Sequence, residues 1–179
     1  YVLLGPARTP AHPENLFPPD QRMLLVFRGE TALSDFRRLP LLARCQTLWP
    51  DLDDLTAEYF FMVHAKRSLD AAEQNQLRQI LGAGPEAPAQ KSNQLTVCPR
   101  SGTISPWSSK ATDILHNCGF DVVKRVERGI VYTFLSPAQP TTAQLTGVAP
   151  LLHDRMIEAP TRNVESLFKR INPQPLVHI

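Results

Sequence analysis

Cysteine is scarce and no apolar run is long, and each shortage removes a class of protein from consideration. Only Cys45, Cys98 and Cys118 occur in 179 residues, an odd number with no Cys-x-x-Cys spacing. That counts against a disulfide framework or a structural zinc site and suits reduced thiols in a cytoplasmic protein. No stretch approaches the roughly 20 apolar residues that a membrane span requires. The start, YVLLGPARTPAHPENLFPPDQ, has one short apolar run followed by five prolines, which is not the pattern of a signal peptide. Net charge is also small: the formal value is +2, with Lys and Arg scattered, so no basic stripe marks a nucleic-acid surface. Missing too are GxxxxGK[ST], GxGxxG, GxSxG and HExxH, which leaves no phosphate loop, dinucleotide fingerprint, nucleophile elbow or zincin helix.

What remains is an ordinary globular composition, 42% hydrophobic and 20% charged, in a chain long enough to bury a core. Residues 1–21 read as an irregular arm. Met23 to Gly29, MLLVFRG, reads as a buried strand. LSDFRRLPLLARCQTLWP then spaces Phe36, Leu39, Leu42, Ala43, Gln46 and Trp49 as a helix face, with Ser34 as N-cap, Pro50 as stop and Pro40 as a late start or kink. Leu55 to Ala65 is rich in aromatic and β-forming residues and predicts a strand. The next helix has Asp70 as N-cap, Glu73 completing a capping box, and Gly82 as its end. After the linker GAGPEAPAQKS the order starts again: NQLTVCP as a strand, SPWSSKATDILHNCG as a helix, and DVVKRVERGIVYTFL as two strands turning at Glu127, Arg128 and Gly129. A helix over Thr142 to Glu158, interrupted by Gly147 and Pro150, completes the second half.

These patterns predict an α+β fold. Two subdomains, 22–84 and 92–158, are expected to be related by a pseudo-twofold, each a mostly antiparallel sheet with helices on one face. Residues 159–179 are expected to form a short helix and the beginning of a linker to further domains.

The chemically densest run is CPRSGTISPWSSKATDILHNCG, from Cys98 to Gly119. Ser105 before Pro106 is an N-cap followed by proline in the first helical turn, and Gly119 follows the other end. Trp107, Ala111, Ile114, Leu115 and Cys118 make one apolar stripe. The glycine and hydroxyls of RSGTIS, with Arg100 and Lys110 nearby, have three readings. They can cap the helix, dock another domain, or present backbone N–H groups to a phosphate or carboxylate. Elsewhere, His64 sits in an apolar strand, His116 and Cys118 point apart on a helix, and adjacent His153 and Asp154 cannot orient one another. Residue chemistry alone leaves function open.

PRSGTISPWSSKATDILHNCG, followed by VERGIVYTF and LLHDRMIE, resembles the N-terminal domain of the large, single-chain phosphoribosylformylglycinamidine synthase. FRGETALSDFRRLPLLARC and LTAEYFFMVHA are similar to it in the same order. The likeness covers about Met23 to Glu158; the head and IEAPTRNVE depart from it. The resemblance implies a structural and coupling domain of a glutamine-dependent ligase of purine biosynthesis. Such an enzyme converts formylglycinamide ribonucleotide to the amidine with ATP and magnesium, and its catalytic groups lie in synthetase and glutaminase domains elsewhere in the chain. The domain would be similar to a dimer of the small separate subunit found in multi-chain forms. It would bridge its two partners and help shape an ammonia path, with no cofactor, metal or catalytic residue of its own, no nucleic acid and no membrane. The expected docking residues are Arg100, Ser101, Thr103, Ser105, Trp107, Ser108, Ser109 and Lys110. The alternative is a free-standing anion- or nucleotide-binding module.

Overall fold

The computed structural model describes residues 24–84 and 91–161. The expected arm over 1–21, most of the linker and the tail helix lie outside the described residues. The elements run β1 (Leu24–Thr31), α1 (Asp35–Gln46), β2 (Asp54–Ala65), α2 (Ala71–Leu81), β3 (Gln94–Pro99), α3 (Pro106–Asn117), β4 (Val123–Leu135), α4 (Thr142–Leu152) and β5 (Glu158–Thr161). All strand pairings are antiparallel, in the order β1-β2-β4-β3-β5. The fold is α+β, as the element pattern predicts.

The two halves meet edge to edge in one sheet. β2 and β4, the second strand of each half, form its centre, paired from Asp54↔Leu135 to Ala65↔Val123. β1 and β3 flank them, an arrangement compatible with the expected pseudo-twofold. Side-chain alternation shows where the helices lie. Leu55 and Ala57 pack with α1 and α4 around Trp49, Tyr132 and Phe134. Val63 and Ala65, on the same face of β2, pack with α2 and α3 around Phe27, Leu77, Leu115 and Val126. Each helix pair therefore takes one helix from each half. The opposite face carries Phe60, Met62 and Cys98, with Leu24, Val26 and Val131 against them.

Three expectations need correction. Glu127, Arg128 and Gly129 form no hairpin: β4 runs unbroken for 13 residues through them. Gly129 is there for closeness, since a Cβ would stand 2.5 Å from the Phe60 ring and 2.8 Å from the Val97 carbonyl, the second meaning that glycine has in a strand. α4 stops at Leu152, well before Glu158. Beyond it Asp154 accepts from the Met156 N–H at 2.8 Å, and residues 158–161 pair with β3 as an edge strand. In α1, finally, the buried side is that of Leu41, Leu42 and Cys45, while Phe36 is 88% and Leu39 55% exposed. Apolar residues occur on several sides of this helix, so spacing could not select the inner one. Pro40 is carried inside α1, which begins at Asp35.

Candidate functional site

α3 starts as its sequence requires. The Ser105 hydroxyl accepts from the Ser108 N–H at 3.0 Å, Pro106 opens the first turn, and Gly119 takes φ 88° after the last. Of the expected apolar stripe, Leu115 is buried and Trp107 and Ala111 pack against the same cluster, whereas Ile114 and Cys118 are exposed.

The unusual hydroxyl density is explained by a free strand edge. β3 pairs with β4 only between Val97↔Ile130 and Gln94↔Thr133, so the segment of β4 before Ile130 has no strand on that side. Side chains of α3 substitute for it. Ser108 Oγ donates to the Val126 carbonyl at 2.6 Å, Thr112 Oγ1 accepts from the Val126 N–H at 3.1 Å, and His116 Nε2 donates to the Val123 carbonyl at 2.7 Å. Residues 108, 112 and 116 recur every four positions, which puts them along one side of a helix. Unpaired buried backbone groups are costly, so this stitching is a structural requirement.

The loop in front of α3 is pinned by Arg125, which sequence reading passed over, and Glu127, which it read as part of a turn. Glu127, a fully buried carboxylate, accepts from the Ser105 hydroxyl and from Arg125 Nη2, the latter at 2.6 Å. Arg125 Nη2 also donates to the Thr103 carbonyl at 2.7 Å. Thr103 Oγ1 donates to the Arg100 carbonyl at 2.6 Å, and the Arg100 N–H donates to the Ile157 carbonyl at 3.0 Å. A buried charge persists only when paired and hydrogen-bonded, so Glu127 fixes the loop, and α3 with it, relative to β4. Its signal in the sequence was an acid two residues from an arginine in an apolar strand, which places both on one face.

The expected site residues accordingly separate into two groups. Ser105 and Ser108 are turned inward and used by the fold; Ser108 is only 1% exposed. Arg100, Ser101, Thr103, Ser109 and Lys110 stand on the surface. Trp107 lies between these groups, half-buried, stacked on Phe61 at 5.8 Å, with the Arg128 guanidinium 4.9 Å from its ring centre.

A family model, formylglycinamide ribonucleotide amidotransferase N-terminal, matches residues 58–169, well over half of the chain. This chain belongs to that family. The match runs from within β2 through β5 and continues past Glu158, so IEAPTRNVE, which departs in wording, lies inside the family region. As an N-terminal domain of an amidotransferase of purine biosynthesis, the chain has other domains of the same enzyme to meet.

His153 and Cys98 are two further groups of this amidotransferase domain whose surroundings are defined. His153 Nδ1 donates to the Ala149 carbonyl at 2.7 Å, one turn back. Burial, together with Glu127 and Glu158, pushes the Cys98 thiol up to about 12. Among the described residues no group of three or more His, Cys, Asp or Glu is placed to hold a metal ion, and no helix is long and apolar enough to cross a membrane.

Proposed function

We propose that this chain is the structural and coupling domain of a glutamine- and ATP-dependent ligase. That enzyme converts formylglycinamide ribonucleotide to the amidine, releasing glutamate, ADP and phosphate. The chemistry resides in partner domains: a glutaminase frees ammonia, and a synthetase activates the formamide oxygen with ATP and magnesium so that ammonia can displace it. Ammonia has to be kept from bulk water in transit, which calls for domains held in fixed register around a closed route. This domain supplies that register between synthetase and glutaminase.

The observation that carries the reading is the pinned loop. A carboxylate and a guanidinium hold Arg100 to Ser105 and the first turn of α3 against the sheet. The outward groups, Arg100, Ser101, Thr103, Ser109 and Lys110, are thereby presented on a rigid support, as a docking surface requires. An anion-binding module is less well supported, because Ser105 and Ser108 spend their hydroxyls within the fold. The test is the triple change Arg100→Ala, Ser109→Ala and Lys110→Ala in the full-length enzyme. A fall in glutamine-dependent turnover relative to ammonia-dependent turnover is expected; an unchanged ratio argues against this surface as the docking face.

A further inference from the structure

Arg128 is held between two aromatic rings. Its guanidinium lies 4.2 Å from the centre of the Tyr59 ring and 4.9 Å from that of Trp107, so two aromatic residues flank one cation. Tyr59 comes from β2, Arg128 from β4 and Trp107 from the first turn of α3, and Phe61 supports Trp107 from beneath. All three residues are half-buried, on the helix-bearing face between the two helix pairs. Arg28, Arg38, Arg67 and Arg125 each meet a carboxylate. Among the described residues none pairs with Arg128.

A guanidinium held over aromatic rings keeps its N–H fork free at the edge of the plane, the geometry that matches a carboxylate in bidentate fashion. Half-buried between two ring faces, the guanidinium is partly shielded from water while its fork stays open to a partner. Arg, Trp and Tyr are also the residues that dominate binding energy at protein interfaces. The surroundings extend the same character. Two residues along β4 on the same face, Ile130 enters the floor of an open groove of about 580 Å³, whose α1 wall carries Phe36, Arg37 and Arg44. Asp154 and Glu158 on the facing wall are engaged by the N–H groups of Met156 and Asp154.

We infer that Tyr59, Arg128 and Trp107 form the anchor of the contact with the rest of the amidotransferase, and that Arg128 takes an aspartate or glutamate side chain from another domain. The inference rests on the coupling-domain reading and adds to it the anchor and the chemistry of its partner. A protein carboxylate fits better than a free phosphate because a planar guanidinium fork set between two rings matches the flat edge of one carboxylate.

The test places a photo-cross-linking phenylalanine derivative at Tyr59 of the full-length enzyme. Cross-links are expected to an Asp- or Glu-containing segment outside residues 1–179. Arg128→Gln should lower their yield by about tenfold or more, the effect of removing one partner of a desolvated charge pair, and Arg128→Lys should restore only part. Three results overturn the inference: no cross-link beyond this domain, an undiminished yield in Arg128→Gln, or loss of the wild-type cross-link to added inorganic phosphate at constant ionic strength. Failure of the coupling reading itself is seen separately, as full glutamine-dependent activity in enzyme lacking the domain.

Discussion

At Gly129 the absence of a side chain decides the local structure. Gly129→Ala puts a methyl group 2.5 Å from the Phe60 ring and 2.8 Å from the Val97 carbonyl. Since the second neighbour is backbone and cannot swing aside, a loss of about 1–3 kcal/mol is expected from urea unfolding, the usual cost of overpacking. Ser108→Ala removes the hydroxyl that serves the Val126 carbonyl and is expected to cost about 1–3 kcal/mol. Ser109→Ala, on the exposed side of the same turn, should stay within about 0.5 kcal/mol. Equal effects of the two serine changes would contradict the edge-stitching role. Thiol chemistry offers a third check. Cys118 is exposed while Cys45 and Cys98 are buried, so one thiol should react promptly with a disulfide reagent and the other two only on unfolding. The sequence announced the caps at Ser105 and Gly119 through local chemistry. It could not announce Gly129, because a strand glycine and a turn glycine look alike until the ring opposite is known.

Among the elements, α2 was the most legible and β5 the least. The capping box of α2 is formed as read: Asp70 accepts from the Glu73 N–H at 2.8 Å and Glu73 from the Asp70 N–H at 3.0 Å. Hydrogen bonds from Arg67, then from the Asp70 N–H, lower the Glu73 carboxyl to about 2. A depressed folded value means that this contribution is complete above the ordinary value of 4.5 and is lost as pH falls through about 2. Amide protection in the first turn of α2, taken relative to intrinsic exchange at each pH, should therefore fall across that window, and less so at high salt, where the exposed pair is already weakened. Protection that stays flat across it would contradict the assignment. The expected helix after Thr142 ran too far and β5 went unseen, because Glu158–Thr161 is four residues long and contains a proline, too short for its periodicity to register. Its strand character comes from pairing with β3, a non-local fact.

On the scale of the molecule, the α+β class and the repeated order of elements could be read from the sequence. The joining of both halves through β2 and β4 could not, since it depends on contacts far apart in the chain. The run from Arg100 to Lys110 could be sorted only in part, because side chains that stand on the surface are mixed there with the Ser105 and Ser108 hydroxyls that the fold uses. Glu127 and Arg128 were read, with Gly129, as a turn, and Arg125 was not singled out. The core also predicts behaviour in alkali. Burial pushes the Cys98 thiol and the Tyr132 hydroxyl up to about 12 from ordinary values of 9.0 and 10.0. Raised folded values keep both protons on in the native state. Stability should then be unaffected by these groups below about pH 9 and decline as pH rises towards 12, when the unfolded chain releases protons that the folded one retains. A melting temperature that climbs over that range would contradict this.

The central claim is that the domain couples two chemistries carried out elsewhere. It is tested most directly by the activity of the amidotransferase lacking this segment, assayed with glutamine and with ammonia, before and after the purified segment is added back. The account predicts that ammonia-dependent turnover survives better than glutamine-dependent turnover, and that the added segment restores the latter. Full glutamine-dependent activity without the segment would contradict it.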